Sequence, residues 1–306
     1  MKDDRLSVDL AGLRLANPTM LASGILGYSA EMLKRIAEAG AGALVTKSIG
    51  TKPCKGYPNP TLVQTDCGII NAMGLPSPGI GEFAGEIMAA KSDLNVPLIV
   101  SVYGFSDEEY ATAARKAVES GADAVELNVS CPHVKGTGSE IGQNTHLLRK
   151  VVRAAKKGSG KPVFVKLSPN VTSIVTVAEA AEKAGADGLT LINTVRAMMI
   201  DVETAQPILA NRMGGLSGEA IRPIAVRAVY DVYENVKIPI VGCGGVANWR
   251  DAVEFLLAGA SAVQMGTSVA TRGLTVFSEV TKGMNAYLRK KKIERVSEIV
   301  GLSHRC

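Results

Sequence analysis

Sulfur is scarce in this chain and poorly spaced for metal or disulfide chemistry. Five cysteines, Cys54, Cys67, Cys131, Cys243 and Cys306, are spread over 306 residues. The number is odd and no pair has the tight spacing of a metal knuckle, so neither a disulfide framework nor a metal site is expected. Such usage suits a reducing cytoplasm. Long apolar runs are also missing. No stretch approaches the ~20 residues needed to cross a bilayer, and the charged start Met1-Lys2-Asp3-Asp4-Arg5 is not a secretory signal. Charge of one sign is in small excess, 34 Lys and Arg against 29 Asp and Glu, a net of +5. That balance gives no reason to expect nucleic acid as a partner. The one dense basic run, 289–295, falls near the end of the last predicted helix, where cations oppose the helix dipole.

What is present is the balance of a folded soluble protein, 46% apolar and 21% charged. That excludes dominant disorder, and a chain this long can bury a core without staples. Four apolar segments open on a proline: 18–22, 97–102, 162–167 and 239–242. Four others follow a small glycine-containing turn: 39–45, 121–127, 185–191 and 259–265. Proline is tolerated at the first residue of a strand, and glycine caps the preceding helix. The two kinds alternate strictly, giving eight short strands whose near-continuous apolar character fits a parallel sheet buried on both faces. Helical patterns lie between them, at 32–39, 107–119, 147–157, 177–184, 219–232, 249–257 and 276–290. Eight β/α units predict a (β/α)8 TIM barrel, with a doubly wound sheet as the competitor. No domain boundary is visible, so 1–306 is expected to form a single domain. Two connections, 48–79 and 193–218, are too long for plain βα loops and fall on the C-terminal face, where barrel enzymes carry their sites.

Polar residues stand at the strand ends on that face: Ser23, Lys47, Asn128, Lys166 and Asn193, with Gly244-Gly245 and Gly266-Thr267 after strands seven and eight. Glycine there lets backbone N–H groups approach an anion, and the last two loops of a TIM barrel commonly hold phosphate. A phosphate-bearing cofactor or substrate is expected. Beyond strand four comes Asn128-Val129-Ser130-Cys131-Pro132-His133, in a loop with Gly136 and Gly138. A thiol in that polar setting can act as base or nucleophile if its pKa falls, and His133 is a rival acid–base group. Cys54, Cys67 and Cys243 read as structural or incidental, and Cys306 as a free tail thiol. His146 and His304 read as peripheral.

At these residues the sequence resembles the dihydroorotate dehydrogenases of the soluble family 1, essentially end to end. The resemblance is carried by Thr46-Lys47-Ser48, Asn59-Pro60, Asn71-Ala72-Met73-Gly74-Leu75, Asn128-Val129-Ser130-Cys131-Pro132, Val165-Lys166-Leu167, Ile192-Asn193-Thr194, Gly214-Gly215-Leu216-Ser217-Gly218, Gly244-Gly245 and Gly266-Thr267. It implies an FMN enzyme oxidising dihydroorotate to orotate in pyrimidine synthesis. Cys131 would remove the C5 proton while C6 delivers hydride to the flavin. Lys47, Asn71, Met73, Gly74, Leu75, Asn128, Asn193 and Thr194 would bind the substrate. Ser23, Lys47, Ser48, Ser101, Asn128, Lys166, Ile192, Gly218, Gly244, Gly245, Gly266 and Thr267 would hold FMN, with Lys166 near flavin N1 and O2.

The stretch 212–218 with Pro223-Ile224-Ala225 is similar to type 1B. That implies a partner subunit carrying FAD and a 2Fe–2S cluster, NAD as final acceptor, and a dimer of this chain within a heterotetramer. Type 1A, a fumarate-linked homodimer, is less similar. A dihydrouridine synthase, which would add an RNA-binding domain, and a non-catalytic phosphate-binding barrel are the remaining alternatives. The sequence departs from the family pattern at Ser101 and His133, where Asn is common.

Overall fold

Proline and glycine punctuate the strands where the sequence places them. The computed structural model describes residues 4–129 and 138–305. A small N-terminal hairpin, β1 (Val8–Leu10) and β2 (Leu13–Leu15), precedes the barrel. Then come β3 (Thr19–Leu21), α1 (Ala30–Glu38) and β4 (Ala43–Val45). The first long connection holds β5 (Leu62–Thr65) and β6 (Gly68–Asn71) and leads into α2 (Ile80–Asp93). The middle of the chain runs β7 (Leu98–Val102), α3 (Asp107–Glu119), β8 (Ala124–Asn128), α4 (Gly138–Gln143), α5 (Thr145–Ser159), β9 (Val163–Leu167), α6 (Ile174–Lys183) and β10 (Gly188–Leu191). The second long connection carries β11 (Val195–Met198), β12 (Ile200–Asp201), β13 (Gln206–Pro207) and β14 (Met213–Ser217). The chain finishes with α7 (Arg222–Tyr233), β15 (Ile240–Cys243), α8 (Trp249–Leu257), β16 (Ala262–Met265), α9 (Thr267–Arg272) and α10 (Thr275–Lys291).

The eight predicted strands are β3, β4, β7, β8, β9, β10, β15 and β16, and they close in chain order into a parallel barrel through β16 against β3. The doubly wound alternative is thereby excluded. Side chains on both faces of these strands are buried, which is why their sequences read as mainly apolar runs, interrupted by single polar residues such as Ser101, Glu126 and Lys166. Helix starts are fixed by local chemistry: Ser29, Ser106, Asn144, Ser173 and Asn248 each accept a backbone N–H of the following turn. The predicted helix at 219–232 divides. A 3-10 turn, Glu219–Ile221, precedes α7, because Pro223 lacks an N–H and fits only a first helical turn.

The two long connections are not plain loops. Antiparallel pairing joins β11, β14, β6 and β5, in that order, into one four-stranded sheet. Its centre is the β6–β14 contact, where Asn71 lies opposite Gly215. Both connections thus share one roof over the C-terminal end of the barrel. The sequence reading also passes over α2 and the N-terminal hairpin, which the structure adds.

Candidate active site

A cavity of about 560 Å³ opens between the strand ends and that roof. Its walls include Ser23, Lys47, Ser48, Asn128, Lys166, Ile192, Asn193 and Thr194 from the barrel. Asn71, Met73, Gly74 and Leu75 come from the first connection. Gly218, Gly244, Gly245, Gly266 and Thr267 come from the last third of the chain. Every described residue expected at the site lines this cavity except Ser101. Ser101 is fully buried one step behind the wall, where its hydroxyl shares a 2.9 Å hydrogen bond with Ser48. Its part is to hold Ser48, which is also bonded by Asn128 Nδ2 at 2.9 Å and faces Ser23 at 3.3 Å. Cys131 and His133 lie outside the described residues, as do Ser130, Gly136 and Cys306.

The two ends of the cavity differ in chemistry. At one end are the turns after β15 and β16. Gly244 and Gly245 have φ of +131° and +81°, and Gly218, whose carbonyl lies beside Gly245, has φ of +98°. An L side chain is strained at such angles, and a Cβ on Gly245 would stand 2.8 Å from Gly218 O. The turn is fastened from outside. Asp251 Oδ2 accepts from Ala247 N at 2.9 Å and from Asn248 N at 3.0 Å, and its other oxygen pairs with Arg222. Arg272 donates to the carbonyl of Ala247. Within the cavity wall, the buried Ser268 hydroxyl has no hydrogen-bond partner among the described residues. Backbone amides and a spare hydroxyl make a seat for a phosphoryl group. At the other end, Asn71, Asn193 and Thr194 bring amides and a hydroxyl. Asn193 Oδ1 accepts from Thr194 N at 2.8 Å. Asn170, which the sequence reading missed, braces this segment: its Nδ2 donates to Thr194 O at 3.0 Å and its Oδ1 accepts from Arg196 N at 2.9 Å. Leu75 adopts φ of +57° and its carbonyl accepts from the Tyr103 hydroxyl at 3.2 Å.

Two lysines sit in the cavity wall, each only 5% exposed. Lys47 Nζ lies 4.9 Å from the ring centre of Tyr28, a cation–π contact. Burial there raises the Tyr28 pKa. Lys166 Nζ donates to Gln264 Oε1 at 3.1 Å and contacts the Cys243 thiol. Burial opposes its charge, yet Cys243 and Glu126 more than offset that and leave its pKa above the ordinary lysine value. Burial pushes the Cys243 thiol up, against the lowering effect of Lys166. Cys243 is therefore not incidental, as the sequence reading had it: it touches a cavity lysine. Cys67, likewise set aside, lines the cavity and is exposed. Gln264 was missed although a polar residue within Ala-Val-Gln-Met is itself a signal of an interior role.

Volume, two buried ammonium groups and an amide-lined glycine turn fit a phosphorylated ring cofactor such as FMN together with a small anionic substrate. Among the described residues, no group of three or more His, Cys, Asp or Glu is arranged to hold a metal ion, and no helix is long and apolar enough to cross a membrane.

Comparison with known proteins agrees with this geometry. Residues 5–288 match the family model described as dihydroorotate dehydrogenase. The chain is 51% identical over 298 residues to a Pyrococcus abyssi protein named dihydroorotate dehydrogenase B (NAD(+)), catalytic subunit, covering 97% of this chain and 99% of that protein. A protein of the same name from Methanocaldococcus jannaschii is 48% identical over 307 residues, covering 99% of this chain and all of its own length. Another from Methanosarcina mazei is 47% identical over 304 residues, covering 99% and 96%. The chain belongs to the dihydroorotate dehydrogenase family.

Proposed function

We propose that this chain is the FMN-binding catalytic subunit of an NAD-linked dihydroorotate dehydrogenase, oxidising (S)-dihydroorotate to orotate in pyrimidine biosynthesis. One observation carries the reading: a single cavity joins an amide-lined glycine turn to an asparagine-rich end, with two buried lysines in its wall. The near-full-length identity to proteins bearing that name supports it.

In this reading the glycine turn at Gly218, Gly244, Gly245, Gly266 and Thr267 binds the phosphate. Ser23, Ser48, Asn128, Lys166 and Ile192 line the ring, with Ser101 holding Ser48 in place. FMN, when bound, supplies a two-electron acceptor. Asn71, Asn193, Thr194, Asn128 and the backbone from Met73 to Leu75 orient the substrate ring, and a site of such donors rejects analogues that leave them unpaired. Lys47 opposes the substrate's negative charge. Cys131 Sγ takes the proton from substrate C5, and the sheet roof excludes water from that exchange. Lys166 opposes the negative charge that builds on the cofactor side.

The whole chain acts as one domain, in the cytoplasm, with no part for nucleic acid. It works as a dimer joined to an electron-transfer subunit that carries FAD and a 2Fe–2S cluster. The test is direct. The purified chain is expected to be yellow with FMN, and anaerobic dihydroorotate is expected to bleach it. Cys131→Ala should slow that bleaching by about 10²-fold or more, the scale of a lost general base. An unslowed Cys131→Ala refutes the base assignment. NAD reduction should be slow for the chain alone and fast with the partner subunit, and rapid turnover with fumarate in place of NAD would overturn the choice of acceptor.

A further inference from the structure

Five barrel strands carry a polar side chain inside an otherwise apolar run: Ser101 in β7, Glu126 in β8, Lys166 in β9, Thr190 in β10 and Gln264 in β16. Strand alternation puts Glu126 on the same face as Asn128, the barrel interior. Thr190 Oγ1 donates to Glu126 Oε2 at 2.9 Å, and Gln264 Nε2 donates to the same oxygen at 2.7 Å. Lys166 Nζ then donates to Gln264 Oε1 at 3.1 Å. The amide of Gln264 is therefore fixed at both ends: it must give a proton toward the carboxylate and accept one from the ammonium. The second carboxylate oxygen, Glu126 Oε1, is buried with no hydrogen-bond partner among the described residues.

A half-satisfied carboxylate inside a barrel is costly, and a purely structural core gains more from an apolar side chain of similar volume. Its charge needs a use. Around Lys166 stand Glu126 from β8, Thr190 from β10, Cys243 from β15 and Gln264 from β16, with Lys47 at the end of β4 in the same cavity. Burial raises the Cys243 thiol, so near neutral pH it is an uncharged donor or acceptor. Lys47 carries a like charge. Glu126 is left as the anion that faces the buried ammonium.

We propose that Glu126, acting through Gln264, is a positioning residue that keeps Lys166 protonated and aimed into the cofactor cavity. This rests on the FMN reading above. Burial without a counter-ion drives a lysine toward its neutral form; here Cys243 first and Glu126 second favour the charged form, and the pKa stands above the ordinary value instead. Loss of the carboxylate charge lets Lys166 give up its proton at lower pH. When the bound flavin then takes two electrons and gains negative charge, Lys166 takes a proton back from solvent. Reduction of the variant therefore consumes one proton more than reduction of the wild type within that pH window.

The test is the midpoint potential of the FMN-loaded chain against pH, by equilibration with a reference dye from about pH 7 to 9.5, below the ordinary lysine range. Glu126→Gln, which keeps the shape and the contacts, is expected to show a bend worth one added proton per two electrons that the wild type lacks. Gln264→Met, which severs the bridge, should show the same bend at higher pH. Glu126→Asp, which restores the charge, should follow the wild-type line, and Glu126→Gln with Lys166→Met should lose the bend. Glu126→Gln and Gln264→Met that both follow the wild-type line overturn the proposal. If Glu126→Gln does not retain FMN, the profile of Gln264→Met decides alone. A wild-type chain that fails to bind FMN refutes the proposed function instead, a result separable from all of these.

Discussion

Replacing Asp251 with alanine tests whether the glycine turn is held from outside. The Asp251 side chain is 5% exposed and its Arg222 partner 31% exposed. Its carboxylate satisfies Ala247 N, Asn248 N and Asn248 Nδ2, at 2.9, 3.0 and 2.8 Å. Removing one member of a fully buried pair costs about 3–5 kcal/mol. Arg222 here reaches solvent and retains Glu254, 3.2 Å away and half exposed, so the ion-pair share falls to about 1–2 kcal/mol. Backbone donors left without their charged acceptor add about 1–2 kcal/mol. The sum is about 3 kcal/mol, or a fall in melting temperature of roughly 6 °C for a chain of this size. The same turn lines the cavity, so FMN affinity should drop about tenfold, or ~1.4 kcal/mol. Thermal melting and flavin titration read both. Glu254→Gln, on the same arginine but exposed, should cost under about 1 kcal/mol. Equal effects of the two variants, or an Asp251→Ala protein melting with the wild type, would refute the claim that the buried carboxylate holds the turn.

Gly245→Ala places a Cβ at φ +81° and 2.7 Å from Arg222 Cβ, so a loss of about 1–3 kcal/mol is expected, read in melting and in weakened FMN binding. Phe255 is fully buried, and its ring is what a Cβ on Gly242 would strike at 2.4 Å; Phe255→Ala should cost about 3–5 kcal/mol by denaturant titration. Thiol reactivity should separate two cysteines. Burial holds the Cys243 pKa above the ordinary thiol value, so its thiolate stays scarce in mildly alkaline solution. Maleimide at pH about 8 should label exposed Cys67 and spare Cys243, as read by peptide mass spectrometry; rapid labelling of Cys243 would contradict its burial.

The barrel was legible because each strand is short, largely apolar and opened by proline or a glycine turn, so local chemistry alone marks its start. The roof was not. In its hairpin β5 alternates exposed and half-buried residues while β6 is half-buried apart from the buried Ile70, and the pairing of β6 with β14 joins residues 144 positions apart, which no local pattern encodes. Helix α2 escaped because Gly79 gives it no side-chain cap. Among the site residues, strand ends were predictable from register, whereas Ser101 was placed one layer too far forward. Nothing local distinguishes a side chain that meets the cavity from one that supports its neighbour. Glu126 and Gln264 were visible as polar interruptions, but only the folded barrel brings them to Lys166.

The β6–β14 seam also sets an order of events during synthesis. Asn71 leaves the ribosome long before Gly215 exists to pair with it, and β3 waits longer still for β16. Until the final third of the polypeptide emerges, the early hairpin has an open edge and the barrel lacks its closing strand. A nascent chain of this design spends most of its elongation time with a sticky rim exposed. Chaperone demand should accordingly stay high until β16 has emerged to close the barrel and fall only afterwards.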